Sequence, residues 1–416
     1  MSSTEKPMEH PTHDTAAEHS SVQAPRRHAY DRIPYLVMFE DTSAYRDTYG
    51  GPSEMVALES YLLRPKDLPS DTVIVFMHPI GGGAYLPMMN GLARAGHHVI
   101  YCGSRYRGVD NALIMEKVVQ DLGACVRDAR ERLGYAKVVL AGWSGGGSLS
   151  LFYQQQAQHP TITATPAGDA PDLTRCDLIP ADGIMLLAAH VSRHGTMTEW
   201  LDASILDESD PDVRDPELDL YDPKNPNQPP YTAEFIERYR AAQIARNRRI
   251  TAWVKKRLAE LRASGDELEE RGFVVHGTMA DPRWLDPAID PSDRAPGRCY
   301  LGDPKIVNNG PVGLARFNTL RGWLSQWSYD DANGDGVKCA ADLEIPTLVI
   351  GNSADDACTP SHTQRLYDAI GHPDKTLHVV KGATHYYAGP DQRPMLAEAI
   401  GVVTAWMAER GFAPQL

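Results

Sequence analysis

The sequence predicts an α/β protein with a mostly parallel sheet flanked by helices, interrupted once by a long insertion. Three observations carry this. Short apolar runs such as "TVIVFMH" (72–78) and "GIMLLAA" (183–189) suit strands buried on both faces of a parallel sheet. Stretches with apolar residues at helical spacing alternate with them. The alternation stops near residue 190 and returns near 345, which brackets the insertion.

Taken in order, "YLVMFE" (35–40) and "MVALESYLLR" (55–64) predict a hairpin or edge pair. "TVIVFMH" is the third strand, and a helix over about 84–95 follows. "HHVIYCG" (97–103) and "KVVLAG" (137–142) are the next two strands. The helix between them, about 111–133, has apolar residues at helical spacing and ends at Gly134. A helix over 145–158 leads to "GIMLLAA", the sixth strand. Residues 202–231 form an acidic, Pro-rich loop, followed by a long helix over about 232–263 and an irregular stretch to about 312. A short helix then carries Trp323 and Trp327. "IPTLVIG" (345–351) and "TLHVV" (376–380) are the last two strands, with helices over 361–370 and 392–410. The predicted division is a disordered N-terminal tail (1–30), an α/β core (31–190 and 336–416) and an inserted, mainly helical domain (191–335).

Composition narrows the function classes. The chain has 416 residues, 42% hydrophobic and 23% charged, enough to bury a large core. Its formal net charge of -14 argues against a general nucleic-acid binder, which carries a basic excess. No apolar run approaches the roughly 18–20 residues that span a membrane. The polar N-terminus has no apolar stretch of signal-peptide type, so a cytoplasmic location is expected. His10, His13, His19 and His28 in that tail lack tight ligand spacing and read as solvated. Cys102, Cys125, Cys176, Cys299, Cys339 and Cys358 form no C-x-x-C pair and read as free thiols in a reducing compartment.

The chemistry centres on "VVLAGWSGGGSLSLF" (138–152), where an apolar strand turns abruptly into glycines. Ser144 is the nucleophile of that turn. Gly142-Trp143-Ser144-Gly145-Gly146 fits G-x-S-x-G, in which a sharp strand-to-helix turn puts the serine in strained backbone geometry and lifts its hydroxyl above the sheet. The following helix aims free N–H groups and a partial positive charge at the site. A dinucleotide loop would need G-x-G-x-x-G and a P-loop a Lys-Ser/Thr pair, and "GWSGGG" has neither. A serine needs a base, oriented in turn by an acid. "TLVIGNSADDACTP" supplies Asp355 and Asp356 just after one strand, and "TLHVVKGATHYYAGP" supplies His385 just after the final strand. Both fall where the Ser…Asp…His order requires them.

With "GWSGG", "NSADDACTP", "GATH" and "HPIGGG" together, the chain resembles the α/β-hydrolase superfamily, over roughly 35–190 and 335–416. The resemblance implies an α/β-hydrolase fold with the insertion lying as a cap between strands 6 and 7. It implies a serine hydrolase of esterase or lactonase type with Ser144, His385 and Asp355 as the triad, Asp356 being the other candidate acid. It also implies that the "HPIGGG" loop gives one oxyanion N–H and Gly145 the other. The first donor is Ile80 by the family's pattern, with Gly81 the alternative; Pro79 stands where glycine is usual and has no N–H to give. His78 is read as a brace for that loop.

Tyr85, Trp143, Trp323, Trp327 and Tyr387 are the candidate pocket residues, with Tyr386 beside Tyr387. The long helix is strongly basic, either as a solvated face or as an attraction for carboxylate substrates or an acidic partner. "DANGDGVKCAAD" (331–342) mimics a calcium loop but has Asp342 where Glu is wanted, and reads as a turn joining domains. The expectation is therefore a metal-free, cofactor-free hydrolase of a small carboxylic ester or lactone, with no nucleic-acid or membrane partner and self-association left open. The same triad also serves carbon–carbon hydrolysis of diketones and amide or peptide cleavage, and a non-catalytic binding protein is the rival from another class.

Overall fold

The computed structural model describes residues 27–41, 54–81, 83, 86–265 and 269–414. Most of the expected tail, with His10, His13 and His19, and the pocket candidate Tyr85 lie outside the described residues. The end of the expected tail is tied into the fold instead. The His28 N–H donates to the Arg94 carbonyl, and Tyr30 already begins the first strand.

Eight strands form one sheet: β1 Tyr30–Glu40, β2 Met55–Pro65, β3 Thr72–Phe76, β4 His98–Cys102, β5 Lys137–Ser144, β6 Gly183–Ala189, β9 Thr347–Asn352 and β10 Lys375–Val380. Their order is β1-β2-β4-β3-β5-β6-β9-β10. β2 pairs antiparallel with both β1 and β4, and every pair from β4 to β10 is parallel. All residues of β3, β4, β6 and β9 are buried, which is why these strands read as unbroken apolar runs. β1 lies at the edge, with Leu36 and Met38 exposed.

Helices cover both faces. α1 Pro87–Arg94 and α11 Gln392–Glu409 pack on one face, over Ile74, Phe76, Val99, Met185 and Leu348. α2 Met115–Glu131, α3 Gly145–Gln158 and α10 Pro360–Ala369 pack on the other, over Val73, Val75, Ile100 and Leu186. The mostly parallel sheet, interrupted between its sixth and seventh strands, is the α/β-hydrolase architecture expected from the sequence.

The chain between β6 and β9 holds α4 Arg193–Trp200, α5 Ala233–Ser264, α6 Pro282–Leu285, α7 Pro304–Asn308, α8 Leu320–Gln326 and α9 Gly336–Ala341. It also holds β7 Gly272–Val274 and β8 Phe317–Thr319, a short antiparallel pair that no local pattern announced. α5 is bounded by two capping devices: the Thr232 hydroxyl accepts from the Phe235 N–H, and Gly265 takes the left-handed conformation at φ 73°. Its buried face, Ile250, Val254, Leu258 and Leu261, packs with Trp323, Leu324 and Trp327.

The acidic loop before α5 is ordered by its own aspartates. Asp207, Asp210, Asp215, Asp219 and Asp222 each accept from the backbone N–H two residues on. The same loop neutralises the basic helix: Arg238 pairs with Glu217, and Arg246 and Arg249 with Glu208. The basic charge of α5 is thus met within the chain rather than presented as a free cationic face.

The calcium-like stretch is also committed elsewhere. Asp331 accepts from Lys255 and Ser328, Asn333 donates to Glu116, Asp335 caps α9, and Asp342 accepts from Gln155. These side chains do not converge on one point. Among the described residues no helix is long and apolar enough to cross a membrane.

Candidate active site

The turn from β5 into α3 holds Ser144 at φ 54°, ψ -125°, a strained conformation for a residue with a side chain. Two glycines make the turn physically admissible. A Cβ on Gly142 would lie 2.4 Å from the Gly146 carbonyl oxygen, and one on Gly146 would lie 2.5 Å from the Met77 carbonyl oxygen. The backbone therefore closes to a distance that only hydrogen side chains permit. Gly145 is the first residue of α3, so its N–H has no acceptor within the helix.

The loop after β9 carries Asp355, and the loop after β10 carries His385. The two meet: His385 Nδ1 and Asp355 Oδ2 are 2.7 Å apart, both side chains buried. The other carboxylate oxygen of Asp355 accepts from the Ala357 and Cys358 N–H groups at 2.7 and 2.8 Å. Asp355 is thus fixed by three contacts and holds the ring by Nδ1, which directs Nε2 away from the carboxylate. Asp356 makes no such contact with the ring. Its carbonyl accepts from the Trp284 indole, and burial, followed by the neighbouring Asp355 charge, pushes its carboxyl up to about 6.

A cavity of about 110 Å³ opens at Ser144. Gly145, Ile80, Gly81, Trp143, His385, Tyr386 and Trp327 line it together with His78, His190, Arg193, Tyr300 and Leu314. Of the two N–H groups weighed for the oxyanion, Gly81's is engaged in a tight turn with the His78 carbonyl at 2.9 Å. Ile80's makes only a long contact, 3.3 Å, to His78 Nδ1. That contact also puts the ring's acceptor nitrogen toward the loop, so His78 braces it. His78 is held neutral: burial, then Arg193 and His385, pull it down to about 3.

Two of the pocket candidates lie elsewhere. Trp323 is fully buried in the core of the insertion, its indole N–H donating to Thr251 Oγ1 at 2.9 Å, and it does not reach the cavity. Tyr387 turns away at φ 51°, gives its hydroxyl proton to Asn352 Oδ1 at 2.9 Å, and lines a separate small recess behind His385; its neighbour Tyr386 is the one facing Ser144. Trp143 borders both spaces and lies against His385, with ring centres 4.7 Å apart and planes tilted by 37°.

Sequence reasoning missed four residues here: Arg193, His190, Tyr300 and Cys358. The first three belong to the insertion or its edge, and nothing in their local sequence marks them. The Cys358 thiol lies against the Ser144 hydroxyl; burial, then Asp355 and Asp356, raise it far above the ordinary thiol range, so it stays protonated. Among the described residues, Asp355, Cys358 and His385 form the one group whose donor atoms come together as metal ligands would. Its two strongest donors, however, are already engaged with each other at 2.7 Å.

No protein-family model matches the chain, and no curated protein matches it in sequence. Similar solved structures include the monoacylglycerol lipase of Paleococcus ferrophilus, with 16% identity, 85% of this chain and 99% of that chain covered, and a TM-score of 0.42. Est1E from Butyrivibrio proteoclasticus has 14% identity, 85% and 95% coverage, and a TM-score of 0.43. The siderophore hydrolase EstB from Aspergillus fumigatus has 12% identity, 85% and 94% coverage, and a TM-score of 0.49.

Proposed function

We propose that this chain is a serine hydrolase that cleaves a small carboxylic ester or lactone through an acyl-enzyme on Ser144. The observation that carries the reading is the Asp355–His385 pair at 2.7 Å beside a cavity whose floor is a serine at φ 54°. In this reading His385 Nε2 takes the Ser144 proton as Oγ attacks the carbonyl carbon. The oxyanion is received by the Gly145 N–H and by the Ile80 N–H, which gives up its long contact with His78. The imidazolium formed is stabilised by Asp355 and returns its proton to the departing alkoxide. Water, deprotonated by the same ring, then attacks the acyl carbon; the bond to Ser144 Oγ breaks, Oγ takes that proton back from His385, and the acid is released.

Residues 191–335 serve as a cap over a core of 31–190 and 336–416. Support comes from Arg193, Tyr300, Leu314 and Trp327, which supply one side of the cavity, while the triad lies on the loops of the large sheet.

The test is a panel of esters, lactones, amides and diketones, run beside active-site labelling with a small fluorophosphonate. Ser144→Ala is expected to fold normally, escape labelling and lose on the order of 10³-fold or more in turnover of an ester or lactone. Equal turnover by Ser144→Ala and the parent would remove the nucleophile assignment. Activity confined to amides or diketones would replace the ester reading.

A further inference from the structure

Resting on the serine-hydrolase reading above, we propose that Arg193 forms an anion subsite, so that the substrate carries a carboxylate close to the carbonyl attacked by Ser144. Arg193 is the first residue of α4, only 6% exposed, and lines the cavity. Three contacts fix its guanidinium. Nε and Nη2 both donate to Gln326 Oε1, at 3.2 and 3.0 Å, and the Trp327 ring lies 4.3 Å beneath. Gln326 is anchored in turn by its amide N–H to the Asp110 carbonyl at 2.6 Å. Nη1 is left without a hydrogen-bond partner among the described residues. It points at the nucleophile turn, 3.5 Å from where a Cβ on Gly145 would stand.

The charge balance around this group is incomplete. Asp110 is the carboxylate in reach, 3.6 Å from Nη2 and too far for a hydrogen bond. Arg105, Arg246 and Arg283 are comparably buried, yet each has a carboxylate oxygen at 2.8 Å or less. The other titratable groups facing Arg193 bring no negative charge at neutral pH. His78 and His190 are held neutral by burial, and burial keeps the Tyr300 phenol protonated. Burial pulls Arg193 itself down only to about 10, so the guanidinium stays charged. A buried cation with an open donor, and its carboxylate no nearer than 3.6 Å, is costly unless a ligand completes it. A carboxylate does so with a charge-assisted hydrogen bond, and a guanidinium prefers a planar, two-oxygen acceptor. The basic helix α5, whose cations pair with carboxylates of the acidic loop and of neighbouring segments, offers nothing comparable.

The experiment measures binding apart from turnover. Ser144→Ala protein is titrated calorimetrically with the monomethyl esters of succinate, glutarate and adipate, and with the corresponding dimethyl esters. At least one monoanion is expected to bind on the order of 10- to 100-fold tighter than its neutral partner. In the Ser144→Ala background, Arg193→Gln is expected to abolish that gap and Arg193→Lys to keep part of it. No preference for a monoanion at any of the three lengths overturns the subsite. A gap that survives Arg193→Gln overturns it too, because the anion is then held elsewhere. If Arg193→Gln alone, with Ser144 intact, lowers kcat for charged and neutral esters equally while the binding gap stays, the guanidinium serves the developing oxyanion and the carboxylate assignment falls. Fluorophosphonate labelling of the parent protein reports separately on the serine-hydrolase reading, so anion binding without labelling discards that reading and not the subsite.

Discussion

Asp355 and Asp356 are adjacent in sequence and opposite in circumstance. Asp355 accepts two backbone N–H groups and faces the ring nitrogen of His385 at 2.7 Å. Asp356 is buried without such partners, and its carboxyl is raised to about 6. Asp355→Asn is therefore expected to cost on the order of 10²- to 10⁴-fold in turnover, because an amide can hold the wrong tautomer of His385. Asp356→Asn is expected to cost far less; steady-state kinetics on both variants decides, and the reverse ranking would move the acid by one residue. Asp356 should instead show in stability. Its folded value lies above the ordinary 3.8, so between about 4 and 6 the folded state binds more protons than the unfolded one. Its contribution is present at low pH and is lost as pH rises through about 6. Thermal melts from pH 4 to 7 are expected to show the parent losing ground against Asp356→Asn over that window. Parallel curves would contradict the buried, raised carboxyl.

Within α8 and its C-terminal cap, the two tryptophans part company. Trp323 packs among Ile250, Val254 and Leu258, whereas Trp327 follows the last helical residue and turns toward Arg193 and the cavity. Side chains four apart share a face in a regular helix. Here the helix ends at Gln326 and Trp327 takes φ -120°, so the shared face is not maintained. Trp323→Ala is expected to lower stability by about 3–5 kcal/mol, as removal of a large buried aromatic does, while leaving the ranking of substrates in place. Trp327→Ala is expected to change that ranking, since it removes both a cavity wall and the surface under Arg193. Denaturant midpoints and kcat/KM over the ester panel separate the two effects. A changed ranking from Trp323→Ala together with none from Trp327→Ala would reverse the assignment.

Across the whole molecule, the insertion is joined to the sheet layers at buried polar points as well as by apolar packing. Glu116 of α2 accepts from the Ser325 hydroxyl at 2.6 Å and from the Asn333 amide at 2.9 Å, with its carboxylate wholly buried. A second joint is made by Glu199 of α4, which meets His362 of α10 at 2.8 Å. These joints fix where α4 and α8 stand, and therefore where Arg193 and Trp327 face Ser144. Glu116→Ala would strand the buried Ser325 hydroxyl, at a cost of about 1–3 kcal/mol, and the half-buried Asn333 amide at a smaller one. Glu116→Gln keeps an acceptor and should cost less. The expected result is a lower denaturant midpoint for Glu116→Ala together with an altered KM, since the cavity wall loses its anchor. Unchanged stability in Glu116→Ala would show that the joint is not structural.

The sharp turn at Ser144 was legible from residues alone because its sequence signals are contiguous: an apolar strand, a serine, and glycines where the backbone must approach within contact distance. The placement of His385 after the final strand was legible for the same reason, since a strand and the residues beyond its end are local facts. The choice between Asp355 and Asp356, between Tyr386 and Tyr387, and between Trp323 and Trp327 was not. Each pair is close in sequence, and which member faces the cavity depends on where a strand or helix stops and how the chain turns there. Arg193, Tyr300 and Cys358 were illegible for a further reason. They reach Ser144 from segments 49 to 214 residues away in the chain, and a buried guanidinium becomes distinctive only once packing has removed its water and left one nitrogen without a partner.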